Sequence, residues 1–132
     1  MGKKHMRQAL SIDPDNTLIA KFWKSMTTSE KIKEQANEEF KLQNFDAAIE
    51  LYNSCLGFDP LNSEYNQTVL YNRACAYNRK GQNDLAMADL DEAIKCNPEY
   101  AKAYFKKGDI KLEMKLYDEA IGEYSKVKQF AP

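Results

Sequence analysis

The chain has 132 residues, of which 43% are hydrophobic, so it is long and apolar enough for one domain with a buried core. Its 19 Lys and Arg nearly balance its 20 Asp and Glu, for a net charge of −1. This balance excludes a global basic field for nucleic acid, so any electrostatic recognition must be local.

Cysteine usage and hydropathy point to an ordinary reducing compartment. Cys55, Cys75 and Cys96 are odd in number and form no C-x-x-C motif, so we expect buried thiols rather than disulfides or a zinc site. No stretch approaches the roughly 20 apolar residues of a membrane span, and no signal peptide is visible. We therefore expect a cytoplasmic protein without a metal, a cofactor, or a nucleic-acid or membrane partner.

Residues 1–28 are predicted to form the end of a preceding helical repeat and a connecting helix. Residues 3–12 resemble the second helix of such a repeat. Farther on, apolar residues mark one face of an amphipathic helix, with Trp23 expected in the core. Thr27 and Glu30 have the spacing of a capping box, so a break in the helix at this point is one alternative. However, the apolar residues after it stay on the same helical face, which favours a single helix over 16–42.

From residue 29 onward, a pattern of small and apolar residues returns about every 34 residues, the length of a tetratricopeptide repeat (TPR) helix pair. We predict a domain over 29–132 with repeats at 29–62, 67–100 and 101–132, the second delayed by an inserted Ser63-Glu64-Tyr65-Asn66. Small residues are needed where the two helices of a pair cross closely, with larger ones beside them. The small residues are Ala36 and Ala48, Ala74 and Ala86, and Gly108 and Ala120; the larger ones are Tyr52, Leu90 and Tyr124.

The predicted fold class is all-α, a TPR superhelical solenoid of antiparallel helix pairs. After the first helix, we expect helices near 46–57, 65–80, 84–96, 100–114 and 118–130. Tight turns are predicted at Gln43-Asn44, Gly81-Gln82-Asn83 and Lys115-Leu116. Stacked pairs form a concave groove lined by the first helix of each pair, and this groove is the expected functional site.

Five polar residues are expected to converge in the groove from the three first helices. Lys33 and Asn37 lie one turn apart on one face, Lys102 and Lys106 repeat that spacing in the third repeat, and Asn72 comes from the second. Lysine supplies charge-assisted donors, and asparagine supplies directed N–H donors without a further charge to desolvate. The set therefore suits a pair of carboxylates.

Further candidates lie one or two turns along the same stripe, where they would meet a ligand upstream of its terminus. They are Phe40, Cys75, Asn78 and Arg79. For Phe40, and for Tyr104, a place in the core is the stronger expectation. No motif sets a nucleophile or an acid beside the only histidine, His5, and no catalytic residue is predicted.

The five residues resemble the carboxylate clamp of the TPR domains of heat-shock co-chaperones. That clamp has a Lys with an Asn four residues later, an Asn followed by Arg, and a Lys with an Arg four residues later. The matching segments are KEQANEEF for Lys33 and Asn37, LYNRACAY for Asn72, and AKAYFKKG for Lys102 and Lys106. Lys106 departs from the pattern, because it keeps the charge of the usual Arg but loses its bidentate fork.

The stretch LGFDPLNSEYNQTVLYNRA is similar to the second TPR unit of the TPR-containing DnaJ (Hsp40-type) co-chaperones. The resemblance implies a non-enzymatic interaction module that binds the acidic C-terminal tails of the cytosolic seventy- and ninety-kilodalton heat-shock chaperones. Two alternatives stay open. One is a TPR scaffold for an unrelated peptide or subunit, with incidental clamp residues, and the other is the TPR part of a phosphatase or prolyl-isomerase co-chaperone.

Overall fold

The computed structural model describes residues 17–131 of the chain, which hold six α-helices and no strand. The helices are α1 (Thr17–Lys41), α2 (Phe45–Leu56), α3 (Ser63–Arg79), α4 (Asn83–Cys96), α5 (Ala101–Glu113) and α6 (Tyr117–Phe130). None of the six could span a membrane, being too short or too polar. The repeat fragment predicted at residues 3–12 and the side chain of Trp23 lie outside what the structure describes.

The helices pack as three consecutive pairs, α1–α2, α3–α4 and α5–α6, and each pair packs against the next. The all-α repeat fold expected from the sequence is thus confirmed. Helix α1 runs without a break through the predicted capping box. Instead of capping a new helix, Thr28 donates its hydroxyl to the backbone carbonyl of Lys24 at 2.8 Å, a bond that a continuous helix allows.

The inserted segment Ser63–Asn66 forms the first turn of α3, which starts at Ser63 rather than near residue 65. Asn62 caps this turn, since its side-chain carbonyl accepts a hydrogen bond from the backbone N–H of Tyr65 at 3.1 Å. The amide of Asn66 donates to the carbonyl of Asp59 at 2.9 Å and ties the turn to the preceding loop. The insertion therefore lengthens α3 at its N-terminal end.

Each pair is closed by a turn that contains one residue with a left-handed backbone. The φ angles are +65° at Gln43, +80° at Gly81 and +65° at Lys115, all within the predicted turns. In each turn the next residue donates its backbone N–H to a carbonyl of the last helical turn at 2.8–2.9 Å. Only Gly81 adopts this conformation without a steric penalty, so packing of the pairs imposes it on Gln43 and Lys115.

The small residues predicted at the helix crossings are buried. The alanines among them are at most 1% exposed: Ala36, Ala48, Ala74, Ala86 and Ala120. Tyr52 and Leu90 fill the space beside them and are equally buried. Two clusters form the core. One, from α1, α2 and α3, includes Ala36, Tyr52, Cys55 and Val69, and the other, from α3, α4 and α5, includes Ala74, Leu90, Ala103 and Ile110.

Ion pairs reinforce the contact between the two helices of a pair. Arg73 on α3 donates to both carboxylate oxygens of buried Asp89 on α4, at 2.7 and 2.6 Å, and to Asn53 on α2 at 2.8 Å. The hydrogen bonds to Asp89 raise the pKa of Arg73 above its ordinary value. In the next pair, Lys107 on α5 lies 3.0 Å from the buried carboxylate of Glu123 on α6.

The two glycines inside α5 and α6 are predicted to respond oppositely to alanine. A methyl group at Gly108 would lie 2.6 Å from the ring of Tyr124, which is held by Asp109 and Phe105. We expect Gly108→Ala to destabilise the domain by about 1–3 kcal/mol. Gly122 has nothing near its Cβ position, so Gly122→Ala should stabilise the domain by up to about 1 kcal/mol through helix propensity.

Urea denaturation of both variants beside wild type measures the difference, with Gly122→Ala as the matched control. Equal stabilisation by the two substitutions would show that Tyr124 does not pack on Gly108.

Candidate peptide-binding groove

A cleft of about 360 Å³, here called the central cleft, opens between α1, α2 and α3. Its lining residues are Asn37, Phe40, Lys41, Tyr52, Tyr71, Asn72 and Cys75. The structure thus brings together four residues that the sequence placed in the groove, two from the clamp set and two from the further candidates. Lys41 and the two tyrosines are additions that sequence reasoning missed.

The two asparagines are held by each other and by Tyr52. The side-chain carbonyl of Asn37 accepts hydrogen bonds from the hydroxyl of Tyr52 and from the amide of Asn72, the latter at 3.3 Å. Burial, and then the nearby thiols of Cys75 and Cys55, raise the pKa of Tyr52 to about 12, so this phenol donates at neutral pH. Because the carbonyl of Asn37 is occupied, its NH₂ group is the part that can meet an acceptor on a ligand.

Lys33 and Lys102 approach α3 from opposite neighbours, and each ammonium lies over a tyrosine ring of that helix. The Nζ of Lys33 is 5.1 Å from the ring centroid of Tyr65, and the Nζ of Lys102 is 4.9 Å from that of Tyr71. Lys33 also pairs with Glu30 at 3.3 Å. It lines a neighbouring recess of about 280 Å³ beside the first turns of α3 rather than the central cleft itself.

Lys106 does not line the central cleft, but its positive charge acts on Cys75, which does. Burial raises the pKa of the Cys75 thiol, while the positive charges of Lys106, Lys102 and Arg79 act in the opposite direction. The thiol therefore stays protonated at neutral pH and serves as a small apolar part of the wall. The cations on α5 supply positive charge beside it.

Asn78 and Arg79 do not line the central cleft. The amide of Asn78 donates to Asn83 at 2.9 Å and to Glu113 at 3.2 Å. The guanidinium of Arg79 lies 5.1 Å from the ring centroid of Phe45 and 5.8 Å from that of Phe40. Asn78 is thus engaged away from the cleft, whereas Arg79 lies against Phe40, one of the residues that line it.

The core expectations for two aromatic residues hold. Tyr104 is 7% exposed and donates its hydroxyl to the carbonyl of Pro98 at 2.8 Å. Phe40 packs against the first core cluster and edge-on to Phe45, with ring centroids 5.3 Å apart. Because Phe40 also lines the central cleft, it serves both the core and the groove.

A repeated spacing could have identified Tyr52 as a partner of Asn37. Tyr52 follows Asn37 by 15 residues, and Tyr124 follows Asp109 by the same interval, with its hydroxyl 2.6 Å from the carboxylate. The repeat pattern alone predicts only that both tyrosines fill space beside the helix crossings. No comparable spacing in the sequence identifies Tyr71, because its contact with Lys102 depends on how α5 packs against α3.

The groove combines hydrogen-bond donors with apolar surface. Ammonium groups and asparagine N–H groups supply donors, while aromatic rings and a neutral thiol supply apolar walls. Among residues 17–131, no group of His, Cys, Asp and Glu is arranged to hold a metal ion. An acidic peptide end with one aliphatic side chain matches this chemistry.

Comparisons with known proteins agree with this architecture. Residues 74–115 match the TPR repeat family, and residues 101–132 match the tetratricopeptide repeat family. Human DnaJ homolog subfamily C member 7 is 32% identical over 122 residues, which cover 92% of this chain and 25% of the human protein. The predicted resemblance to TPR-containing DnaJ proteins is thereby confirmed, and the chain spans about a quarter of the length of these relatives.

Two solved structures match in fold and in sequence. The first TPR of Spaghetti (RPAP3), bound to the HSP90 peptide SRMEEVD, is 32% identical with a TM-score of 0.70, covering 79% of either chain. The second TPR domain of human RPAP3, in complex with the HSP70 peptide SGPTIEEVD, is 25% identical with a TM-score of 0.71, covering 82% of this chain and 87% of the other. With its helix pairs, their buried small residues and these matches, the chain belongs to the tetratricopeptide repeat family.

Proposed function

We propose that this domain is the interaction module of a co-chaperone and binds the acidic C-terminal tails of the seventy- and ninety-kilodalton heat-shock chaperones. The observation that carries the proposal is the pair Asn37 and Asn72, which are hydrogen-bonded to each other in the central cleft. Lys33 and Lys102 add to it, because each lies over a tyrosine ring of α3, the helix that carries Asn72. The peptides bound to the two RPAP3 domains both end in EEVD and support this ligand class.

The chemistry of such a tail fits the donors. A C-terminal Asp carries two carboxylates, and the clamp residues offer ammonium and amide N–H groups from three helices. The preceding Val is small and apolar, which suits the walls formed by Phe40, Tyr71 and Cys75. The module acts by binding, carries no reaction of its own, and works in the cytoplasm where these chaperones are found.

The domain is expected to bind SRMEEVD with a dissociation constant in the micromolar range, which corresponds to a binding free energy of about −8 kcal/mol. Several charge-assisted hydrogen bonds of about 1.5–3 kcal/mol each favour binding, while ordering a flexible tail opposes it. Isothermal titration calorimetry with the free-acid peptide measures the affinity, and SGPTIEEVD tests the other chaperone tail.

The matched control is the same peptide with a C-terminal amide, which removes one carboxylate and leaves all side chains in place. Binding of the amide as tight as that of the acid would instead favour a scaffold that holds an internal peptide.

Residues that bind and residues that pack should respond differently to substitution on the first helices α1 and α3. Lys33→Ala or Asn72→Ala should weaken binding of the tail at least about tenfold, because each removes a charge-assisted or directed donor. Ala36→Leu should instead overpack the crossing with α2 and destabilise the domain by about 1–3 kcal/mol. Calorimetry and thermal melts on all three variants compare the two effects. If Lys33→Ala lowered the melting temperature as much as Ala36→Leu, Lys33 would be a structural residue.

Lys106 tests how the groove differs from the usual clamp. Lys106→Ala should lose a charge-assisted contact of about 1.5–3 kcal/mol, whereas Lys106→Arg should preserve or tighten binding, because guanidinium presents paired donors to a carboxylate. Titration of SRMEEVD against both variants at moderate salt measures these changes, since salt screens exposed charges. Unchanged binding by Lys106→Ala would make Lys106 a solvated surface charge, and a clear loss with Lys106→Arg would mean a groove shaped around lysine.

A further inference from the structure

The four-residue insertion has no role in the clamp pattern, yet it supplies the ring that lies under Lys33. Tyr65 belongs to the extra first turn of α3 that Ser63–Asn66 forms. Its ring is buried at 8% exposure, and its hydroxyl donates to the backbone carbonyl of Ser29 on α1 at 3.0 Å. Both ends of the side chain are therefore held, so the ring is a rigid surface for the ammonium of Lys33.

On the other side, Tyr71 presents a comparable surface to Lys102. Tyr71 is half-buried against the second core cluster, and its ring lies 6.0 Å from that of Tyr100, which precedes α5. Burial raises the pKa of Tyr71 far above its ordinary value, so its ring stays neutral. The ring faces Lys102 at 4.9 Å and also lines the central cleft.

We propose that Tyr65 and Tyr71 are positioning residues, which hold the ammonium groups of Lys33 and Lys102 on the two sides of Asn72. The inference deepens the proposed function and rests on it. A free lysine side chain loses rotamer freedom when it is immobilised, and this loss opposes tail binding. A lysine already held over a ring has lost part of that freedom before the tail arrives. The three N–H donors of each ammonium leave room for a carboxylate on the side away from the ring.

The insertion then has a structural role in the proposed site. It adds one helical turn to α3, and that turn carries Tyr65 to the level of Lys33. Helix α3 thus contributes to the site three times, with a ring for each flanking lysine and with Asn72 between them. Glu30 competes for Lys33, since it pairs with the same ammonium at 3.3 Å, but it is an exposed partner that solvent screens.

The first test needs no peptide. Protons on the Cε of a lysine that lies over an aromatic ring are shifted upfield by the ring current. In the free domain, Lys33 and Lys102 should show this shift by NMR, whereas Lys95, which is 74% exposed and pairs only with Glu92 among the described residues, should not. Tyr71→Leu should abolish the shift at Lys102 and leave it at Lys33. Random-coil shifts at both lysines would overturn the proposal even if Tyr65→Leu failed to fold.

The second test measures coupling with the SRMEEVD peptide. Tyr65→Leu and Tyr71→Leu should each weaken binding about two- to fivefold, as expected for loss of a cation–π contact. Tyr71→Phe should bind like wild type, and Tyr65→Phe, which keeps the ring but loses the hydroxyl bond to Ser29, should weaken binding less than Tyr65→Leu. In a Lys33→Ala background, Tyr65→Leu should have no further effect on affinity, and in a Lys102→Ala background it should keep its full effect. Tyr71→Leu should show the opposite dependence.

The cross pairs are matched controls, because a general disturbance of the groove would act equally in both lysine backgrounds. Equal effects of Tyr65→Leu in the two backgrounds would overturn the positioning role and leave the proposed function standing. A wild-type domain that binds neither chaperone tail would overturn the proposed function itself.

Discussion

The close approach of the two helices in each pair is the constraint on which the rest of the structure depends. Ala36 meets Ala48 and Ala74 meets Ala86 with no exposed surface, and Gly108 receives the ring of Tyr124 directly. Side chains no larger than a methyl group let the backbones approach, and larger residues then close the space beside them. The separation within a pair sets the register in which polar side chains on the two helices meet.

That register determines which side chains of a first helix pair with the second helix. A spacing of 15 residues joins Asn37 to Tyr52 and Asp109 to Tyr124, and a spacing of 16 joins Arg73 to Asp89. The first spacing places an oriented amide in the central cleft, whereas the second forms a buried ion pair within the pair of helices. Neighbouring residues of one helix can therefore make different contacts, because successive side chains point about 100° apart.

A net charge of −1 is compatible with the proposed binding of an acidic tail, because that recognition would be local. In the proposed site, Lys33, Lys102 and Lys106 come from α1 and α5 and accompany the neutral donors of Asn37 and Asn72. Neutral amides at the centre avoid the desolvation penalty of a further buried charge, while the lysines remain partly hydrated at the margins. Aromatic rings from α3 complete the arrangement by giving two of the ammonium groups a surface to lie on.

Patterns in the sequence predict the helix pairs, their turns and the small residues at the crossings, because helix geometry is constant and a repeated apolar pattern shows which face is buried. They also predict that Asn37 and Asn72 face the groove. The partner that each side chain takes depends instead on how the helices pack. This packing turns Arg79 toward the rings of Phe40 and Phe45, brings Tyr65 under Lys33, and imposes a left-handed backbone on Gln43 and Lys115. These outcomes depend on distances between helices far apart in the chain, which no local pattern of residues encodes.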